Sequence, residues 1–236
     1  MGFVAFVITL LISVPTMPAQ PAQIALVGDS IATSFAPRWA DDHSRPGCGI
    51  TNGIPQETGS ATKSEWCAAT AHQMWEQVFA TSPDVVVVYS TWEVNNHRVA
   101  GELLEFRSPI WDAWYTSYLD WIRSRVPVLL LASVAPRAPI DGIVTMTPRD
   151  VARTRSLNDF HRAYAAQHVT VDIVDTEHIL CPDTCPEWIG NVRPRPDMGA
   201  HFDTAGAAWF NEPFRTAVLD AWLRVGTLYA QIDGVF

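Results

Sequence analysis

The segment Asp84-Val-Val-Val-Val-Tyr89 sets four β-branched residues in succession and leaves no polar position for a solvent-facing side. A strand alternates its side chains between two faces, so this run needs apolar cover on both, which is the condition of a strand inside a parallel sheet. Gln23 to Val27, Val126 to Val134 and Val169 to Val174 read as further strands of the same kind. Between them the spacing turns helical. Ile31 to Trp39 follows the turn-prone Gly28-Asp29-Ser30, and Thr62 to Ala80 carries Trp66, Ala69, Met74, Trp75 and Val78 at helical intervals. Ser108-Pro109 supplies a cap and a first helical position for Ile110 to Arg125. Pro148 to His168 and Thr204 to Val225 complete the helices, with Thr204 as cap of the last. The Pro- and Gly-rich stretch 45–60 reads as loop with at most one short strand. Strands alternating with helices imply an α/β class, a three-layer α/β/α doubly wound parallel sheet. In such sheets ligands lie outside the carboxyl ends of the strands. The loops Gly28–Ser30 and Ser90–Glu93 and the segment after Val174 are therefore expected to converge.

Composition narrows the classes. With 236 residues, 48% hydrophobic and 17% charged, the chain can bury one large core, which excludes a disordered tail. Twenty-five acidic against 16 basic residues leave a net charge of −9, and no Lys/Arg cluster exceeds two residues, so a nucleic-acid partner is excluded as well. Ten tryptophans are mostly expected in the core, although sugar-binding sites also use such rings as stacking platforms. Cys48 and Cys67, and Cys181 and Cys185, form two sequence-local pairs. No histidine stands at finger-like spacing beside them, so two disulfides in an extracytoplasmic protein are favoured over zinc. The apolar run Phe3 to Val14 is 12 residues long, short for a membrane span, and fits a signal-peptide core or the stub of an anchor helix. Residues 1–22 are accordingly read as export or anchor sequence plus linker, and 23–236 as one domain. No metal or organic cofactor is expected.

Ser30 leaves an apolar strand and opens a helix, a position that exposes a hydroxyl at the sheet edge but also suits a helix-capping serine. Its company favours a nucleophile. Asp197 and His201 lie close together just before the last helix. A serine needs a base to take its proton, and the base needs an acid that fixes its tautomer. The other six histidines (His43, His72, His97, His161, His168 and His178) fall in predicted helices or loops and read as surface residues.

These segments, taken in order, resemble the SGNH hydrolase superfamily, also called GDSL-like, and more narrowly the SGNH domains associated with membrane O-acyltransferases. The resemblance spans roughly residues 23–225 and rests on Gly28-Asp29-Ser30, Gly47-Cys48-Gly49, Trp92-Glu93-Val94 and the Asp197/His201 segment. It implies a flavodoxin-like fold. It also implies a Ser-His-Asp ester hydrolase or acyl-transfer module, with Ser30 as nucleophile, His201 as general base and Asp197 as orienting acid. The backbone N–H groups of Ser30 and of Gly49, or of Gly47, would form the oxyanion hole, and Asp29, Trp92 and Glu93 would belong to the same site. Two departures stand out. Where the family pattern Gly-x-Asn-Asp supplies an asparagine donor, this chain has Ser90-Thr91-Trp92-Glu93, and Trp92, Asn95 or Asn96 are the candidates to replace it. The pattern Asp-x-x-His is one residue longer here, so Asp203 is an alternative to Asp197.

Three functions are consistent with this reading: an esterase acting on an acylated carbohydrate or similar ester, an O-acyltransferase module for cell-envelope polysaccharide supplied by a membrane acyltransferase partner, and a carbohydrate-binding domain without catalysis. The Ser30 to His201 separation discriminates the last from the other two.

Overall fold

The computed structural model describes residue 21 and residues 23–56, 61–140 and 147–233; the leader segment 1–22 lies outside them except for Pro21. In chain order the elements are β1 (Ile24–Gly28), α1 (Ser30–Phe35), β2 (Asp41–Asp42), β3 (Ile54–Pro55), α2 (Ala61–Ala80), β4 (Val85–Tyr89), a 3₁₀ turn (Trp92–Val94), β5 (His97–Val99), β6 (Glu102–Leu104), α3 (Pro109–Arg123), β7 (Val128–Ala132), α4 (Pro148–Ala165), β8 (Val171–Val174), α5 (Thr176–Leu180) and α6 (Thr204–Asp233). Five strands form one parallel sheet in the order β2-β1-β4-β7-β8. Counted along the chain within that sheet, the order is 2-1-3-4-5, the flavodoxin-like arrangement, with its switch point between β1 and β4.

The valine run sits in the middle, each residue opposite an apolar partner: Val85 to Val88 pair with Ile24 to Val27 on one side and Val128 to Leu131 on the other. Alternate side chains serve two cores. Val86 and Val88 join Ala25, Val27, Leu129 and Leu131 against Trp75 of α2, Trp111 and Tyr115 of α3 and Leu157 of α4. Val85 and Val87 join Leu26, Leu130 and Val174 against Phe35 of α1, Leu180 of α5 and Phe210, Phe214 and Val218 of α6. Burying one such side chain contributes roughly 1.5–3 kcal/mol, more than the ~1 kcal/mol span of strand propensities. Two-sided burial therefore determines this sheet. Trp75, Trp111 and Trp222 are buried; Trp39, Trp114, Trp121 and Trp209 pack against the cores; Trp66 and Trp188 are exposed.

Local signals behave as expected at most helix starts. The Ser108 hydroxyl accepts the Trp111 N–H at 3.2 Å ahead of Pro109, and Thr147 and Asp150 form a reciprocal capping box ahead of Pro148. At the last helix the cap is Asp203, whose carboxylate accepts the Gly206 N–H at 2.7 Å, and Thr204 is already helical. Helix α1 stops at Phe35, four residues short of the expected end, because Pro37 prevents continuation. A second sheet, β3-β5-β6, was not foreseen: its strands are two or three residues long, below the length at which alternation can be read.

Both cysteine pairs are joined as disulfides, Cys48–Cys67 and Cys181–Cys185, and free cysteines are absent among the described residues. Their loops differ in length, with partners 19 and 4 residues apart. From the loop-closure entropy, replacing Cys48 and Cys67 by serine should cost about 3 kcal/mol of unfolding free energy and replacing Cys181 and Cys185 about 2 kcal/mol. Urea unfolding of the two double variants measures both, and a larger loss from the short loop would contradict the ranking.

Candidate active site

Asp29 is completely buried and occupies the N-cap of α1. One carboxylate oxygen accepts the Ile31 N–H at 2.8 Å; the other accepts the Thr91 N–H at 2.7 Å and the Thr91 hydroxyl at 2.6 Å. Asp29 thereby takes the capping role for which Ser30 is the alternative in sequence, and it ties the end of β1 to the loop after β4. Burial pushes its carboxyl above the ordinary carboxylate range, against the pull of the Thr91 and Ile31 hydrogen bonds. Ser30 is left with its hydroxyl at the mouth of the switch point.

The Ser30 Oγ lies 2.9 Å from His201 Nε2, and His201 Nδ1 lies 2.9 Å from Asp197 Oδ2. The longer spacing between Asp197 and His201 is absorbed by a tight turn. Met198 and Gly199 both have positive φ, 51° and 65°, and the Ala200 and His201 N–H groups return to the Asp197 carbonyl. Gly199 is required twice over: its φ is left-handed, and a Cβ there would lie 2.1 Å from the Ala138 carbonyl oxygen. The loop is also pinned from outside. Ala138 N–H donates to the Gly199 carbonyl, Arg195 Nη1 donates to the Pro136 carbonyl at 2.7 Å, and Phe202 N–H donates to Ser34 Oγ at 3.0 Å. Asp203, the alternative acid, is engaged in capping α6. Unlike a buried orienting acid, the Asp197 side chain is 68% exposed.

The residues expected around an oxyanion divide into two groups. Trp92 lines the cavity beside Ser30 and His201, a pocket of about 430 Å³. Glu93, Gly47 and Gly49, like Asp29, do not line it. Glu93 is buried and accepts the Ile50 N–H at 2.8 Å, while Trp75 Nε1 donates to the Ile50 carbonyl at 2.8 Å, so the Gly49 loop is fixed on both sides. A Cβ on Gly49 would meet Glu93 Oε1 at 2.6 Å, which accounts for glycine at this close approach. Asn95 lines the cavity with its amide donating to the Trp92 carbonyl, and Asn96 is engaged by the Phe106 N–H and Arg153. The third expected loop is displaced as well. The segment after β8 braces the end of β7, where Glu177 N–H donates to Ser133 Oγ and Thr176 Oγ1 donates to the Ser133 carbonyl. The cavity wall is instead completed by the segment after β7, through Val134, Ala135 and Arg137.

Two histidines read as surface residues are buried. His97 accepts from Trp111 Nε1 and His161 pairs with the Tyr115 hydroxyl at 3.0 Å; burial pulls them down to about 4 and about 3. Both therefore stay neutral core residues. Among the described residues no group of three or more His, Cys, Asp or Glu could hold a metal ion. Sequence inspection also missed Thr91, Arg137, Arg153 and Arg195 as site residues. Arg195 stood in view two positions before Asp197, but its burial has no local signature.

Burial raises the Glu93 carboxyl from an ordinary 4.5 to about 7, with the Ser90 hydroxyl and the Ile50 N–H opposing and the Asp29 charge reinforcing. A raised folded-state value means that this group favours folding below about pH 4.5 and that its contribution is lost as pH rises through 7. Glu93→Gln retains an acceptor for Ile50 and removes the titration. The melting temperature of the variant relative to the parent is thus expected to rise between pH 5 and pH 8.5. Comparing the two proteins cancels the opposite dependence of His97 and His161, and a pH-independent difference would contradict the assignment.

Comparison with known proteins bears on the fold and the family. A GDSL-like lipase from Bacteroides thetaiotaomicron superposes with a TM-score of 0.51 at 15% identity, over 84% of this chain and 88% of that one. The periplasmic domain of a lipopolysaccharide acetyltransferase from Salmonella ser. Paratyphi A gives 0.52 at 10% identity, over 86% and 85%. At these identities the likeness is one of fold. None of the curated protein sequences is similar enough to count as a match. The family model described as "SGNH domain (fused to AT3 domains)" matches residues 12–215, and the chain belongs to that family.

Proposed function

We propose that the domain is a serine-dependent ester hydrolase acting on an acylated carbohydrate or a similar ester. The observation that carries this reading is the hydrogen-bonded row from Ser30 Oγ through His201 to Asp197, both contacts at 2.9 Å and within catalytic hydrogen-bond reach. A domain that only binds sugar has no need of that alignment. In the proposed reaction Ser30 Oγ attacks the ester carbonyl while His201 Nε2 takes its proton. His201 returns the proton to the departing alkoxide as the C–O bond breaks, leaving the acyl group on Ser30. Water, losing its proton to His201, then attacks the acyl carbon; the bond to Ser30 Oγ breaks, His201 returns the proton to that oxygen, and the acid is released. The Ser30 N–H would hold the carbonyl oxygen as it becomes negative, whereas Gly49 and Gly47, the other expected donors, stand off the cavity wall. Trp92, on the cavity wall, is suited to stack on a sugar ring.

A second reading is favoured by the family description, in which such domains are fused to AT3 domains, and by the likeness to an acetyltransferase periplasmic domain. In it a sugar hydroxyl replaces water, and a membrane acyltransferase supplies the acyl group. The two disulfides support an extracytoplasmic location for either reading. Among the described residues no helix is long and apolar enough to cross a membrane, and in this proposal residues 1–22 serve as leader or anchor to a domain formed by 23–236.

Ser30→Ala and His201→Ala are each expected to lower kcat/KM for 4-nitrophenyl acetate by roughly a thousandfold or more, with unchanged circular dichroism. Because the Asp197 side chain is 68% exposed and screened by water, Asp197→Asn should cost less, about ten- to a hundredfold. Asp203→Asn should keep the activity and lose only cap stability, about 1 kcal/mol or less. Full activity in Ser30→Ala, or a fluorophosphonate adduct elsewhere than Ser30, would overturn the assignment. Product analysis with and without an oligosaccharide acceptor separates hydrolysis from transfer.

A further inference from the structure

The charged residues around the cavity run against the rest of the chain. The protein as a whole carries −9, whereas the charged described residues sharing the cavity wall with Ser30 and His201 are Arg137, Arg153, Arg195 and a single acid, Asp150. Asp150 is occupied as a capping residue by Thr147. Arg195 is only 4% exposed, and a buried guanidinium ordinarily pairs with a carboxylate, because desolvating the charge costs several kcal/mol by itself. Among the described residues it has none. Its Nη1 donates to the Pro136 carbonyl at 2.7 Å and its Nη2 meets the Cys181 sulfur at 3.8 Å, so both partners are neutral. Arg137, exposed on the segment after β7, likewise has no carboxylate partner among the described residues. A guanidinium remains charged in proteins and presents a planar fork matched to carboxylate and phosphate oxygens. Arg195 and Arg137 thus keep fixed positive charge on the cavity wall that Ser30 shares, with no carboxylate counter-ion among the described residues.

We infer that this cavity receives an anionic group: the molecule that carries the ester, or that accepts its acyl group, bears a carboxylate or a phosphate that seats on Arg195 and Arg137. The inference rests on the ester-cleaving reading of Ser30 for the meaning of the site, but its test does not. Binding is measured by calorimetry on the whole chain with three probes that contain no ester: trigalacturonate as carboxylated sugar, glucose 6-phosphate as phosphorylated sugar, and xylotriose as neutral control. At least one anionic probe is expected to bind about tenfold or more tightly than xylotriose and to weaken as salt is raised. Arg137→Gln is expected to weaken that anion about fivefold or more. Preference for trigalacturonate identifies the carboxylate source, and preference for glucose 6-phosphate the phosphate source. Arg195→Met should abolish the preference provided its thermal melt matches the parent; Arg137, being exposed, keeps the test decisive if that variant does not fold. Equal affinity for all three probes, or an Arg137→Gln protein that binds the anion as the parent does, would overturn the inference. Fluorophosphonate labelling of Ser30 is read separately, so failure of the anion site and failure of the esterase reading are distinguishable.

Discussion

The Asp29 carboxylate, buried between the ends of β1 and β4, determines where the neighbouring groups of the site can stand. By accepting the Ile31 N–H on one oxygen and two Thr91 donors on the other, it fixes the turn bearing Ser30 against the loop bearing Trp92. A buried carboxylate carries a large desolvation cost, which the Ile31 and Thr91 donors offset in part and whose loss would leave it uncompensated, so these loops are held together. The same loop continues into Glu93, which holds the Ile50 N–H and, through it, the Gly49 segment. Two buried acids thus bring three loops from distant parts of the chain to one sheet edge.

The other half of the site depends on backbone geometry. Asp197 and His201 are joined by a turn whose two central residues adopt left-handed φ, and its Gly199 is wedged against Ala138. That contact, with Arg195 reaching the Pro136 carbonyl, makes the segment after β7 the platform for the histidine loop. The platform has a price in charge, because it keeps a guanidinium on the cavity wall it shares with Ser30 with no acid among the described residues to neutralise it. The esterase proposal and the anion inference therefore arise from the same few residues, one from their alignment and the other from their charge.

Much of the fold was legible. The valine run, the helical spacing and the Ser108-Pro109 and Pro148 helix starts all correspond to periodicities or caps that act within a few residues, and each appears in the structure. The candidate site was legible where it coincided with motif order, at Ser30 and His201, with the choice between Asp197 and Asp203 left to their contacts in the fold. It was not legible where the role depends on what surrounds a residue. Asp29 and Glu93 sat in expected site motifs but prove to be supports behind the wall. His97 and His161, polar in sequence, are neutral core residues, since burial depends on which helices pack over them.

The sequence by itself determined the class of sheet and the order of its main elements, and it pointed to Ser30 and His201 as candidate reactive groups, because those depend on side-chain period, chain chemistry and motif order. The tertiary structure alone decided that Asp197 rather than Asp203 faces His201, that the segment after β7 rather than the one after β8 walls the cavity, and that Arg195 is buried with no acid beside it among the described residues. Each is a relation between atoms brought together from separate loops, and no spacing along one stretch of chain encodes the distance between them.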